Sequence, residues 1–263
     1  MTKTATMCGI PWRLENGGCA ALPLPGDESI AAVARGHVAG LLPALGLSVQ
    51  DVDDVTLMVS ELATNVLQHA TSGERPPVAE LWVYQRGDGR GHDELVVKAF
   101  DTLRDWRDGG RASHEDRPAE RLDHGRGLEI IDILAKGRWG HHPTRSRLSS
   151  PSVRGKATWF ALPIPRTRIA RGRRSGRAVD GKQAAKVLHS LLVQRGIDGF
   201  TPEEELGVCG LSGYGDLKVW CEDAMFRWRA GSGESGGLPV TDITEACEQV
   251  VQLCEALDDV HVV

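Results

Sequence analysis

The strongest signal in this sequence is SELATNVLQHA, at Ser60–Ala70. Glu61, Asn65 and His69 are four residues apart, so they share one face of a helix, away from its apolar stripe. A carboxylate and a carboxamide that project together suit Mg²⁺, because hard cations prefer oxygen ligands. The simpler alternative is the solvated face of an amphipathic helix.

The sequence before this stretch predicts how the helix begins and what precedes it. Ser48 is the predicted start, and Asp51, three residues later, completes a capping box. The preceding stretch Glu28–Leu45 has the periodicity of a helix, and Cys19–Leu24 is a short apolar run typical of a strand. We therefore expect one strand and two helices in this part of the chain.

A second polar residue, Asp101, follows a strand-like run. Glu94–Phe100 (ELVVKAF) is joined to Val78–Gln85 (VAELWVYQ) by a hairpin-type connection. A carboxylate at a strand end can accept a hydrogen bond from an exocyclic amine, although many such aspartates only start a turn. The polar stretch Thr102–His124 has neither helical nor strand periodicity, which is typical of a functional or disordered loop.

The third pattern is Gly125-Arg126-Gly127-Leu128, which opens a short predicted helix that ends at Gly137. Glycines let the backbone approach a ligand, and the amides at a helix N-terminus attract phosphate. A tight turn into the helix is the simpler interpretation, and no Gly-Lys-Ser/Thr follows, so this is not a Walker loop. Strands at Trp139–Arg145 and Lys156–Ile164 complete the unit.

The predicted order β-α-α-β-β-loop-α-β-β is typical of a two-layer α/β (α+β) sandwich. Together the motifs resemble the GHKL superfamily of ATP-binding proteins (the Bergerat fold), and most of all the anti-sigma-factor serine kinases and their actinobacterial relatives. SELATNVLQHA is similar to the N box, AFD ending at Asp101 to the first glycine box, HGRGLEIIDILAKGRWG to the second, and KATWFALPIP to the closing strand. The resemblance covers residues 12–165, the predicted ATP-binding domain.

The resemblance implies a role for each matching residue. Asn65 would ligate the Mg²⁺ that bridges the triphosphate of ATP, and Glu61 would be the general base. Asp101 would hold the adenine amino group, with Thr158 sharing its bridging water, and residues 102–124 would form the ATP lid. The residues implied to wrap the phosphates are Gly125, Arg126, Gly127 and Leu128. Phosphoryl transfer depends on positioning and charge neutralisation more than on covalent chemistry, so this small set suffices.

This sequence departs from the family pattern at the first glycine box. Thr102, Leu103 and Arg104 stand where a glycine usually follows the aspartate, and Gly109 and Gly110 come late. The second glycine box is also abbreviated. These departures favour a protein in which the nucleotide sets a conformation without being turned over.

The lengths of the segments before and after these motifs argue against two classes of GHKL protein. Only sixty residues precede Glu61, too few for the dimerisation helices of a histidine kinase, and the tail of about 84 residues is short for the transducer domain of gyrase or MutL. We predict an anti-sigma-type serine/threonine kinase that binds a sigma factor or other regulator and phosphorylates an antagonist protein in transcriptional control. The alternatives are a non-catalytic ATP-dependent protein-binding switch and a slow ATP hydrolase.

Composition and charge set further expectations. The chain is 41% hydrophobic and 25% charged, which is typical of a globular protein, and its apolar runs are shorter than the roughly 18 residues of a membrane span. Six scattered cysteines and an N-terminus unlike a secretory signal favour a reduced, cytoplasmic protein. Six arginines lie in Arg166–Arg177, and we interpret residues 166–180 as a solvated basic linker rather than a nucleic-acid site, because no aromatic residues interrupt it. A homodimer is left open.

Residues 181–263 are predicted to form a small α+β accessory domain whose role the sequence does not assign. From Asp180 onward fifteen acidic residues stand against six basic ones. We expect Cys247 and Cys254, two turns apart on one helix face, to be buried apolar residues rather than a metal or redox pair. Because the linker is rich in Arg and Gly, we expect few contacts between the two domains. The predicted elements are the helix Ala184–Arg195, the strands Leu217–Glu222 and Met225–Arg229, and the helix Ile243–Leu257.

Overall fold

The computed structural model describes residues 18–70, 78–87, 92–102, 126–165, 181–205, 208–231 and 233–260. Within these ranges the chain is a mixed α+β protein with two five-stranded antiparallel sheets and five α-helices, so the predicted α+β class is confirmed. None of the helices in these ranges is both long and apolar enough to cross a membrane. The elements are β1 (Cys19–Leu24), α1 (Ile30–Ala39), α2 (Val49–Ala70), β2 (Ala79–Gly87), β3 (Asp93–Asp101), α3 (Arg126–Ala135), β4 (Trp139–Arg145), β5 (Arg154–Ile164), α4 (Gly181–Gln194), β6 (Thr201–Glu205), β7 (Val208–Tyr214), β8 (Leu217–Glu222), β9 (Met225–Arg229), β10 (Ser235–Pro239) and α5 (Ile243–Val260).

The first sheet has the order β1-β2-β3-β5-β4, with every neighbouring pair antiparallel. Helices α1, α2 and α3 pack on one face of it and share one apolar core with its strands. Met58 and Leu62 of α2, Ile131 of α3 and Phe160 of β5 are all fully buried in this core. The predicted order of strands and helices in this part of the chain is therefore confirmed for the described residues.

Local sequence explains where the first two helices begin and end. Ser48 and Asp51 form the predicted capping box: the Asp51 amide donates to Ser48 Oγ at 3.1 Å, and the Ser48 amide donates to Asp51 Oδ2 at 3.3 Å. The first helix is shorter than predicted, since α1 ends at Ala39. Gly40 follows it and a separate 3₁₀ turn begins at Leu42, consistent with the weak helix propensity of glycine and proline.

The second sheet has the order β10-β9-β8-β7-β6 and belongs to the C-terminal part of the chain. The predicted hairpin of β8 and β9 is confirmed, and its turn residues Asp223 and Ala224 have φ of 52° and 59°, as a type I′ turn requires. Strands β6, β7 and β10 were not predicted. The edge strands β6 (TPEEE) and β10 (SGGLP) lack apolar alternation, and Pro202 is tolerated in β6 because it is an edge strand.

Helix α5 lies between the two sheets. One side of it packs into the core of the second sheet, and Cys247 and Cys254 are fully buried there, as predicted. The other side carries Glu245, Glu248 and Glu255, which are all at most 4% exposed. These glutamates accept hydrogen bonds from side chains of the first sheet and of the loop between β4 and β5. The expectation of few contacts between the two parts of the chain is therefore wrong. The glutamates pair with cations of β2, β3, β4, β5 and the loop between β4 and β5, and with Arg195, which follows α4.

Glu248 is the centre of this buried charge cluster. Arg147 Nη2 donates to its Oε1 at 2.7 Å, Arg195 Nη1 donates to the same oxygen, and Lys98 Nζ lies 3.7 Å from Oε2. These three cations hold the pKa of Glu248 well below its usual value despite burial. The two guanidinium groups also lie over the Trp82 ring, at 5.2 and 4.8 Å from its centroid.

His142 of β4 is held neutral beside this cluster. Its Nε2 accepts from Lys98 Nζ at 2.9 Å, and its Nδ1 donates to the Pro143 carbonyl at 3.0 Å. Burial, together with the charge of Lys98, lowers the pKa of His142 to about 4. Both hydrogen bonds require the neutral imidazole, so protonation would break the one from Lys98.

Replacing Glu248 by Gln should strongly destabilise the protein. The amide removes the charge that compensates three buried cations, and leaving buried charges unpaired costs about 3–5 kcal/mol. Glu204→Gln is the matched control, because Glu204 forms an exposed ion pair with Lys182, worth about 1 kcal/mol or less. Chemical unfolding of both variants checks this. A loss below about 1 kcal/mol in Glu248→Gln would show that the cluster does not hold α5 in place.

Stability should also fall between pH 7 and pH 5 because of His142. Its pKa is about 4 in the folded chain and 6.5 unfolded, so the unfolded state binds the extra proton and stability is lost as the pH falls below 6.5. By pH 5 the loss is about 2 kcal/mol. The His142→Gln variant has no titrating group at this position. The part of the pH dependence of stability that comes from His142 should therefore disappear in it. Equal pH dependence of unfolding in wild type and variant would contradict the assignment.

Candidate functional site

A small pocket lies between α2, the first turn of α3 and the neighbouring ends of β3 and β5. Its volume is about 10 Å³, which is room for about one water molecule. Four of the residues predicted from the sequence line it, and they come from four separate elements. They are Asn65 of α2, Asp101 of β3, Leu128 of α3 and Thr158 of β5; among the described residues Leu62, Val66 and Lys156 also line the pocket.

The register of β3 and β5 brings Asp101 and Thr158 together. Asp101 is the last residue of β3, as predicted; it lies opposite Lys156, and Ala99 lies opposite Thr158. Side chains two residues apart in a strand share a face, so Asp101 and Thr158 both point to the helix layer. Gly155 permits this close crossing, because a Cβ there would overlap the carbonyl oxygen of Asp101.

The two helices bring Glu61, Asn65 and Gly127 into contact. A Cβ on Gly127 would lie 2.7 Å from Glu61 Oε2 and 3.5 Å from Asn65 Oδ1. The first turn of α3 therefore lies against the polar face of α2, and glycine at position 127 leaves room for the Glu61 carboxylate. Glu61 and Asn65 are both partly exposed, which fits the prediction that they share a polar face away from the core.

Lys156 is a pocket residue that the sequence analysis missed. Its Nζ lies 3.3 Å from Asp101 Oδ1, and both side chains are buried, at 7% and 4% exposure. Side chains of the closing strand alternate between the two faces of the sheet. The resemblance to the GHKL family implied that one of them, Thr158, shares the bridging water of Asp101. The same alternation places Lys156 on that face, so this was the signal that could have found it.

Part of the predicted site lies outside the described residues. This holds for Gly125, residues 103–124 of the predicted lid and the linker 166–180, and for the side chains of His69 and Arg126. Among the described residues, no group of three or more His, Cys, Asp or Glu side chains is arranged to hold a metal ion.

The pocket combines chemical groups that suit a polar ligand carrying an amino group and an anionic part. The Asp101 carboxylate accepts hydrogen bonds, the Thr158 hydroxyl both donates and accepts, and the Asn65 carboxamide offers an oxygen to a cation. Leu62, Val66 and Leu128 supply an apolar wall. The Glu61 carboxylate lies beside this set, against Gly127, where it can take a proton from a nearby hydroxyl or water.

Replacing Gly127 by Ala should move the Glu61 carboxylate without unfolding the chain. The new methyl group would overlap Glu61 Oε2, which is the flexible end of a side chain, so the side chain rotates away. The control is Gly36→Ala in α1, where a Cβ meets nothing within 4 Å. The free energy of unfolding, measured by thermal denaturation, should change by no more than about 1 kcal/mol in either variant. A crystal structure of Gly127→Ala should show Glu61 displaced; an unmoved carboxylate, or a loss above about 2 kcal/mol, would contradict this geometry.

No protein-family model matches this sequence, and no curated protein matches it significantly.

Proposed function

We propose that this chain is an ATP-binding regulatory protein with a Bergerat-type domain, and that it transfers the γ-phosphoryl group of Mg²⁺-bound ATP to a serine or threonine of an antagonist protein. The observation that carries this proposal is the convergence of Asn65, Asp101, Leu128 and Thr158 on one pocket, with Glu61 against Gly127 beside it. These positions come from four motifs that are far apart in the sequence. The helix layer on one face of a five-stranded antiparallel sheet also supports the proposed fold.

The residues of the pocket fit ATP and Mg²⁺ by their chemistry. Asp101 would accept a hydrogen bond from the exocyclic amine of adenine, with Thr158 beside it, and Leu62 and Leu128 would contact the base. Asn65 would contribute one oxygen to Mg²⁺, and the backbone amides at the start of α3 would donate to the phosphates. Lys156 pairs with Asp101 in this pocket, so an adenine amine that bonds to Asp101 Oδ1 would have to displace the lysine ammonium.

In the proposed reaction Glu61 acts as the general base. Bound Mg²⁺–ATP would supply the transferable phosphoryl group. Glu61 would accept the proton of the attacking serine or threonine hydroxyl as its oxygen bonds to phosphorus and the bond to the ADP leaving group breaks. Asn65 and the amides at the start of α3 would compensate the negative charge of the phosphates. The partners proposed for this activity are a sigma factor or other regulator and the antagonist, in the cytoplasm.

A non-catalytic switch is the second candidate, and a specific observation favours it. Asp101 is already engaged by Lys156, and both side chains are buried. A protein that uses ATP only to set its conformation has no need of rapid exchange at such a site. In that case ATP would bind, and neither transfer nor hydrolysis would follow.

The test compares wild type with Glu61→Gln and Asn65→Ala. Glu61→Gln should keep ATP affinity and lose about 10²–10⁴-fold in γ-phosphoryl transfer, because it removes the base but not the nucleotide contacts. Asn65→Ala should lose Mg²⁺-dependent binding. Asp53→Asn is the control, since it neutralises an exposed carboxylate on the same helix. Calorimetry measures affinity, and labelled ATP with a panel of candidate antagonists measures transfer.

Each result separates the candidates. ATP binding without transfer or hydrolysis by the wild type favours the switch, and hydrolysis without transfer favours the slow hydrolase. If the wild type binds no ATP, the kinase, the switch and the slow hydrolase are all contradicted, and so is the assignment of the pocket.

A further inference from the structure

One residue of the pocket wall pairs with the carboxylate of another. Lys156 and Asp101 lie opposite each other in β5 and β3, and the lysine ammonium reaches back to the carboxylate, with 3.3 Å between Nζ and Oδ1. Both side chains are at least nine-tenths buried, and both line the pocket. The ammonium therefore lies in the pocket, at the oxygen to which a ligand amine would have to donate.

An ammonium and an aromatic amine make the same contact with a carboxylate, because each donates an N–H to its oxygen. The ion pair therefore occupies the group that would recognise adenine. Lysine is suited to such a displaceable contact, since its charge sits on a flexible stem of four carbons rather than on a planar fork. A buried carboxylate is unfavourable without a donor, so the donor that leaves must be replaced by another.

We propose that Lys156 is a built-in competitor of the ligand: its ammonium pairs with Asp101 in the pocket, and an adenine base binds only by displacing it. This inference rests on the proposed function, because it assumes that the ligand of the pocket carries adenine. It assigns Lys156 the role of setting nucleotide affinity.

A neighbouring histidine reports where the Lys156 ammonium is. His141 of β4 lies opposite Thr158 in the sheet, and its pKa is lowered by burial and by the charge of Lys156. When the ammonium moves away, the second of these causes is removed and the pKa of His141 should rise. The movement of Lys156 can therefore be followed by titrating one ring, independently of any enzymatic activity.

The experiment measures Mg²⁺–ATP and adenosine binding to the full chain by calorimetry for wild type, Lys156→Met and Lys182→Met. Lys156→Met removes the competing donor, so affinity for both ligands should rise roughly 10- to 100-fold, the range of a charged hydrogen bond. Lys182→Met is the matched control, because it removes a lysine from an exposed ion pair with Glu204, and it should leave affinity unchanged. If Lys156→Met does not fold, Lys156→Gln, which keeps a donor without the charge, is measured in its place, and its affinity should rise less.

NMR titration of His141 completes the test. Saturating ATP should raise the pKa of His141 in the wild type, and Lys156→Met should raise it without nucleotide. Unchanged ATP affinity in Lys156→Met would overturn the inference and leave the proposed function standing. Weaker binding would also overturn it, since Lys156 would then be a ligand contact. If neither protein binds ATP or adenosine, the proposed function fails and this inference fails with it.

Discussion

The burial of Glu248 between the first sheet and α5 is the interaction on which the rest of the structure depends. Three cations from three parts of the chain, Lys98, Arg147 and Arg195, meet at this one carboxylate. Removing any one of these side chains would leave a buried charge without its partner. This costs far more free energy of folding than the loss of a surface ion pair. The cluster thus ties the C-terminal helix to the outer face of the sheet, where the aromatic side chain of Trp82 is fully buried.

The same strands serve this cluster and the pocket because side chains alternate along them. In β3, Lys98 and Phe100 face α5, whereas Ala99 and Asp101 face the helix layer. A change that shifts β3 to accommodate one face must therefore move the residues of the other. The C-terminal part of the chain and the proposed nucleotide site therefore contact opposite faces of the same strand.

Local patterns could be predicted from the sequence, and pairings between distant residues could not. The Ser48 capping box, the end of β3 at Asp101 and the turn at Asp223 each depend on a few neighbouring residues, and each was predicted. The acidic stripe of α5 has the pattern of a solvated face, because its cationic partners lie in other elements. Lys156 was missed for a related reason, since the alternation that places it on the helix-facing side of the sheet does not show that its partner is Asp101 of the neighbouring strand β3.

The central claim is that the pocket at the ends of β3 and β5 recognises adenine through Asp101. Calorimetric titration of the wild-type chain with Mg²⁺–ATP and with Mg²⁺–GTP tests this most directly. Guanine presents a carbonyl where adenine presents its amino group, and a carbonyl facing the Asp101 carboxylate has no proton to donate. If Asp101 recognises adenine, the chain should bind ATP saturably and at least about 10-fold more tightly than GTP. Absence of ATP binding, or equal affinity for the two nucleotides, would contradict it.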